Sequence, residues 1–437
     1  MSDKFDFSIP EMAPELERGP KWLKDKRRDE RTQYNDTPIP ERGLHFWRYT
    51  DPAKFLFERS AIADTAFGEN YDAVERLEMT HLREGKLAGL VSDLGGREIK
   101  IAGVDNLTKQ GIIVMPLSEA VEKHRSLVEQ YLYQVVNSHS GKLEAMNGAL
   151  WNDGIFVYVP DNRTIEKPIH LLREAGLAGS VTLPRLLVVV GKNSEATIID
   201  EYGGGSVDAS KGVSYSNAVV EIIAQQDSRT RYVTLQRQSS AIHSYLTHRA
   251  RIEQNANILT CALVFGGAYS KQSFGVILNG DGAESNMYGM LFGAGNQHFD
   301  NHTLHHHASG RTKSNINFKV VLKDKATSAY TGLIRIDHNA QVCEAYQENR
   351  NLLLNAGARA ESIPELEILN EEVTCSHGAT VGPIDPMSLF YLKSRGIHLP
   401  EATRMIVAGF LSPTLRLLPV DLQERINTFV EQRLEVI

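Results

Sequence analysis

The chain has 437 residues, 42% hydrophobic and 23% charged, enough to bury a sizeable core in more than one structural unit. Its formal net charge of −7 gives no global attraction to nucleic acid or to an anionic membrane, and neither is expected as a partner. No apolar run approaches the ~18 residues of a membrane span. The three cysteines, Cys261, Cys343 and Cys375, are too few and too far apart for a disulfide framework or a CxxC zinc knuckle; they read as reduced thiols of a cytoplasmic protein.

The opening MSDKFDFSIPEM, with Asp3 and Asp6, lacks a charged segment followed by an apolar one, so no secretory signal is expected. Residues 1–150 are expected to form a mostly helical domain. Within it, Lys21 to Arg31 (KWLKDKRRDER) reads as a solvated helix laced with salt bridges. Ser118 is a candidate N-cap for a helix to Val136, with Leu117, Val121, Leu127, Val128, Tyr131, Leu132 and Val135 on one face. His124 lies on the same stripe and reads as a packed histidine.

From Trp151 to about Asp385 the texture changes. Short β-branched runs recur at Ile155 to Val159, Leu186 to Val190, Val219 to Ile223 and Phe318 to Leu322. Turn signals separate them, among them Gly203-Gly204-Gly205, Gly280-Asp281-Gly282 and Gly293-Ala294-Gly295. Residues 151–385 are therefore expected to be all-β. No fixed-period repeat is visible, so the pattern alone leaves a large sandwich and a parallel β-helix both open. A stack of rungs would need caps at both ends, a need that helical termini would fill. From residue 386 helices return: Pro386 starts a short apolar helix stopped by Gly396, Pro400-Glu401 opens another, and Asp421 with Glu424 resembles a capping box.

Cys375 and His377 stand two residues apart. On an extended segment they share a face, and a thiolate with an imidazole suits zinc or iron–sulfur chemistry. Two ligands do not complete a site, so the rest of any metal site must come from elsewhere, with another chain a natural source. His302, His305, His306 and His307 form a second cluster. Strand alternation puts His305 and His307 on one face and His302 and His306 on the other. Rows of histidines on the β-domain surface or at an interface are expected there. Cys343 and Cys261 read as structural. Gly310-Arg311-Thr312-Lys313-Ser314 lacks the full phosphate loop and no dinucleotide fingerprint is present, so no nucleotide is expected on this chain.

Five stretches carry a family resemblance. They are HFWRYTDP (45–52), NDGIFVYVPDN with KPIHL (152–171), TGLIRIDHNAQVCEAYQENRNLLL (331–354), IPELEI (363–368), and CSHGATVG followed by LFYLKSRGI (375–397). In their order and spacing the chain resembles the SufD side of the SufB/SufD family of the SUF iron–sulfur assembly system. The resemblance implies a right-handed parallel β-helix with helical segments at both ends. It implies a non-enzymatic scaffold subunit that pairs with SufB and with the ATPase SufC. A nascent Fe–S cluster would form transiently at the SufB interface, with His377 contributing. For Cys375, ligand and small buried hydrophobe both stay open. SufB-type chains carry an acceptor cysteine just before the IPELEI-like proline; here that segment is NAGARAESIP, with Ala358 near the place. Two other readings are carried: a β-helix enzyme acting on polysaccharide, and a stand-alone homodimeric scaffold of the same family.

Overall fold

The structure, a computed structural model, describes residues 8–56, 71–95, 98–152, 154–174, 179–203 and 212–434. Gly204 and Gly205 of one expected turn, and Asp3 and Asp6, lie outside these residues.

Two ten-stranded sheets are built up together. The first runs β2 (Glu98–Ala102), β1 (Gly89–Leu94), β5 (Ile169–Glu174), β8 (Glu195–Gly203), β10 (Arg229–Gln236), β12 (Asn257–Val264), β14 (Glu284–Gly293), β16 (Lys313–Leu322), β18 (Cys343–Leu353), β20 (Val373–Pro383). The second runs β19 (Arg359–Ile368), β17 (Thr327–Ile336), β15 (His298–His307), β13 (Tyr269–Leu278), β11 (Ile242–Ile252), β9 (Ser214–Ala224), β7 (Arg185–Val190), β4 (Gly154–Val159), β3 (Ile113–Pro116), with the short β6 (Val181–Thr182) also on β9. Beyond β7, successive strands alternate between the sheets, and neighbours within a sheet are parallel. The result is a β-solenoid of about eight turns, the parallel β-helix that the family resemblance implies. Glu284 sits over Lys313 and Lys313 over Glu344, so the step between rungs varies, which hides the repeat in the sequence.

The space between the sheets is filled by inward side chains such as Ile198, Val220, Ile258, Val276, Ile316 and Ile334. The outward faces are also largely covered, so many strands read as continuous apolar runs rather than alternating ones. In the amino-terminal part, α1 (Lys21–Asp36), α2 (Tyr71–Arg83), α3 (Asp105–Thr108), α4 (Leu117–Lys123), α5 (Arg125–Tyr131) and α6 (Lys142–Leu150) share the region with β1–β3. The expected helix over 118–136 is broken at His124 (φ −128°, ψ 39°). The break lets Leu117, Val121, Val128 and Leu132 all reach one cluster on Phe156, Leu187 and Val189 of the second sheet. Nor is α1 simply a solvated helix: Arg27 is buried, donates to the Ala149 and Trp151 carbonyls at 2.8 and 2.9 Å, and lies 4.1 Å from the Trp151 ring.

Caps form differently from the expectation. At the amino-terminal end β2 pairs antiparallel with β1, and β3 with β4. These reversals stop the parallel stack, and Leu107, Ile112 and Val114 plug the lumen. The carboxy-terminal helices α7 (Pro386–Ser394), α8 (Leu399–Leu415) and α9 (Val420–Leu434) do not cover the last rung. Instead α8 and α9 lie along the outer face of the first sheet, where Val407, Leu411, Ile426 and Val430 cover Val233, Cys261, Leu263, Phe265 and Phe292. That apolar outer stripe is what draws them there. Asp421 falls inside the first turn of α9 and pairs with Lys86 at 2.9 Å, instead of capping the helix.

Close stacking of rungs makes specific demands. A Cβ on Gly289 would sit 2.2 Å from the Phe318 ring of the next rung. Gly289→Ala is expected to destabilise by about 1–3 kcal/mol through overpacking, read as a lower denaturation midpoint. An unchanged midpoint would mean that Phe318 has room to move.

Candidate functional site

The open end of the solenoid holds the candidate site. Among the described residues β20 pairs only with β18 and β19 only with β17, so both last strands leave a row of backbone groups without a strand partner. Cys375 lies in register with Ala345, and His377 with Gln347. Strand alternation puts Cys375 and His377 on one face, the face that continues the lumen. Cys375 is half-buried against the interior cluster that includes Cys343 and Ala345, while His377 is exposed. Burial pushes the Cys375 thiol up, with the neighbouring Cys343 adding to the effect, so the resting group is the protonated thiol. Among the described residues no side chain hydrogen-bonds His377, and Glu371 and Glu372 do not reach it. Gln347 Oε1, one strand below His377, is buried without a hydrogen-bond partner. The only group of three or more His, Cys, Asp or Glu ligands in metal-binding range among the described residues is elsewhere, so this end holds an incomplete donor set.

The other sequence candidates are placed away from the open end. His305 and His307 point into the lumen and are fully buried, not on the surface as expected. Burial pushes them down to about 3 and about 4, so both are neutral. His307 bonds Thr312 and Ser314 at 2.7 and 2.8 Å, and Thr312 in turn meets Cys343 Sγ at 3.1 Å. His306 faces out to Asp337 at 2.8 Å. His302 is roofed by the Phe46 ring and bonds Asp300 at 2.9 Å, next to the Lys271–Asp300 pair at 2.7 Å. Burial alone would raise the Asp300 carboxyl, but His302 and Lys271 hold it well below the ordinary range. Thr50 also donates to Asp300, at 2.6 Å, so the HFWRYTDP segment is strapped across β13 and β15. Cys261 is buried under the carboxy-terminal helices, its thiol pushed up to about 12. Arg311, at φ +56°, forms a tight turn into β16, so the stretch from Gly310 to Ser314 is not a phosphate loop.

A two-sheet parallel solenoid with its outer faces largely covered, one closed end and one open end bearing Cys375 and His377 defines the class of protein by its fold. The comparisons identify the family. Residues 172–410 match the family described as SUF system FeS cluster assembly, SufBD core domain, and residues 16–171 match the SufBD protein N-terminal region. With more than half of its length in the core-domain match, the chain belongs to the SufBD family of iron–sulfur cluster assembly proteins. It is similar to an iron–sulfur cluster assembly SufBD family protein of Staphylococcus saprophyticus, 25% identical over 425 residues, covering 95% of this chain and 90% of the relative. Staphylococcus aureus has SufBD family proteins with the same identity and coverage. No helix among the described residues is long and apolar enough to cross a membrane.

Sequence reasoning missed one buried cluster. Glu78, His170 and Glu201 bring ligand atoms within 4.8 Å of one another. They come from α2, β5 and β8, so no local spacing announces them. Their geometry resembles a metal site, but the charges are already answered. Arg425 of α9 donates to both Glu78 and Glu201, the latter at 2.5 Å, and Arg237 also donates to Glu201. His170 is fixed by Glu78 at Nδ1 (2.9 Å) and by Glu201 at Nε2 (3.1 Å). Burial opposes charge on His170, but the Glu201 and Glu78 carboxylates outweigh it and raise the imidazole to about 9. The cluster is therefore an ion-pair knot that ties the last helix to the first part of the chain.

Its pH signature follows from that shift. A histidine raised above its ordinary value of about 6.5 contributes stability that is fully present below about pH 6.5 and is lost as pH rises through about 9. His170→Gln is expected to cost roughly 1–3 kcal/mol near pH 6.5, and the gap to the parent should narrow by pH 10. Melting curves of both proteins across that range measure it; a gap independent of pH would mean that His170 is neutral when folded.

Proposed function

We propose that this chain is the SufD-type scaffold subunit of a cytoplasmic SUF machine. It would pair through its open rung with a SufB-type partner and through its carboxy-terminal helices with the SufC ATPase. In this reading it is not itself an enzyme. The observation that carries the reading is the unpaired last rung bearing Cys375 and His377. Strands of 10 and 11 residues with free backbone groups are templates for strand addition by another chain. Val342, Tyr346, Ile368 and Val381 are apolar side chains exposed around it.

Among the described residues His377 has no competing side-chain partner, so a nitrogen would be free to meet a nascent Fe–S cluster, here a cargo completed by ligands from the partner. Cys375 beside it would join as thiolate only when metal displaces its proton, since burial otherwise keeps it protonated. The segment before Ile363-Pro364 supports a SufD-type rather than SufB-type chain: Ala358 there is buried and carries no thiol. For the SufC contact, the support is α7. It buries none of its residues, and Phe390 and Tyr391 are 66% and 58% exposed. The family assignment favours this reading over a polysaccharide-acting enzyme. A homodimer of this chain would use the same open rung.

The test uses His377→Ala. Because the residue is exposed and unpartnered, the variant is expected to melt within about 0.5 kcal/mol of the parent and still co-purify with SufB and SufC. It should fail to restore cluster assembly in a strain lacking the gene. Full complementation would remove His377 from the site; a folded variant that no longer co-purifies with SufB would make it a pairing residue instead.

A further inference from the structure

We infer that the cavity beneath Trp47, remote in sequence from the open rung, is a binding site for a small aromatic acid. The cavity has a volume of about 590 Å³ and opens between the segment 37–47, the start of α6 and the outer face of β11. That is within the size range of small-molecule sites. One wall is flat: Trp47 stacks on Tyr245 with their ring planes 8° apart. Phe46 and Leu44 extend the apolar lining toward the mouth, where Leu44 is 55% exposed.

The decisive group is Arg249. Its Nη1 donates to the His248 and Ser273 carbonyls at 2.9 and 3.0 Å, and its Nη2 to Ser273 Oγ at 2.9 Å. These partners are neutral. Among the described residues no carboxylate lies within ion-pair distance, and Nε has no acceptor. A half-buried cation without a counter-ion still bears a desolvation cost, so its place in a cavity wall is informative. The chain makes room for it: a Cβ on Gly275 of the next strand would sit 2.7 Å from Arg249 Cδ. Burial depresses the guanidinium, and the more distant Glu144 only partly offsets this.

Of the other charges lining the cavity, Glu41 is exposed to solvent, whereas Lys142 and Glu144 are already engaged. Lys142 donates to the Tyr34 and Thr37 carbonyls at 2.8 and 2.6 Å. Glu144 Oε1 accepts from Tyr245 and Thr247. It would repel an anion placed beside it and welcome a ligand N–H. The complementary molecule is therefore a flat ring bearing a hydrogen-bond donor, with its carboxylate directed to Arg249 as a charge-assisted pair.

Titration calorimetry on the full chain with indole-3-acetate, and with indole-3-ethanol as its neutral counterpart, tests this. The acid is expected to bind the parent about tenfold or more tighter than the alcohol. Arg249→Gln should erase that preference, and Leu44→Trp, an exposed position that fills the mouth, should weaken both probes. Equal affinity of the parent for the two probes, or no binding at millimolar concentration, would overturn the site. So would a preference retained in folded Arg249→Gln. If Arg249→Gln does not fold, undiminished binding by Leu44→Trp overturns the assignment and lost binding supports it.

Discussion

A stack of parallel strands cannot end itself. Each rung satisfies the backbone of the one before and leaves its own outer edge for the next. The chain resolves this at one end by reversing direction, with β2 and β3 laid antiparallel on their neighbours. At the other end it does nothing of the kind. β19 and β20 finish with their outer edges bare, and the helices that follow turn back along the sheet instead of covering them. The position of Cys375 and His377 on that last rung is thus a direct outcome of how the stack terminates, and so is the incompleteness of their ligand set.

Much of the architecture was legible in the residues. The change from helical period to β-branched runs near Trp151, the turns at Gly280-Asp281-Gly282 and Gly293-Ala294-Gly295 and the helix from Pro386 appear in the structure. The solenoid itself was not readable from periodicity, because the register step varies and both sheet faces are buried. It came from resemblance. Helix 118–136 was misjudged at His124, where the backbone leaves helical geometry and lets Leu117 and Val121 before the break and Val128 and Leu132 after it meet one cluster. The histidine row was assigned to the wrong environment for a different reason. Alternation tells which residues share a face, but not whether the outer face is wet. His305 and His307 are interior because an unbroken stack encloses them.

At the site, Cys375 and His377 were visible as a pair from their spacing alone, whereas the absence, among the described residues, of a carboxylate that holds the His377 ring was not. Glu371 and Glu372 sit in the turn before β20, where Asn370 Oδ1 accepts from the Glu372 amide at 2.8 Å, and neither bonds His377. Glu78, Glu201 and Arg425 were invisible, since 347 positions separate the Glu78 carboxylate from the guanidinium that answers it.

That last separation bears on synthesis. A ribosome releases the chain from its amino terminus, so α2 and β8 emerge with Glu78 and Glu201 while Arg425 is still unmade. Until Arg425 has been made, the two carboxylates have His81, His170 and Arg237 for company. The apolar outer stripe of the first sheet also waits for α8 and α9 to cover it. At ordinary elongation rates of ~5–20 residues per second, the nascent solenoid carries that uncovered stripe for several seconds to a minute. The native state of this chain is thus sealed only once α9 has been made, and premature termination anywhere before Arg425 leaves a product with an exposed greasy sheet, suited to capture by chaperones or proteases.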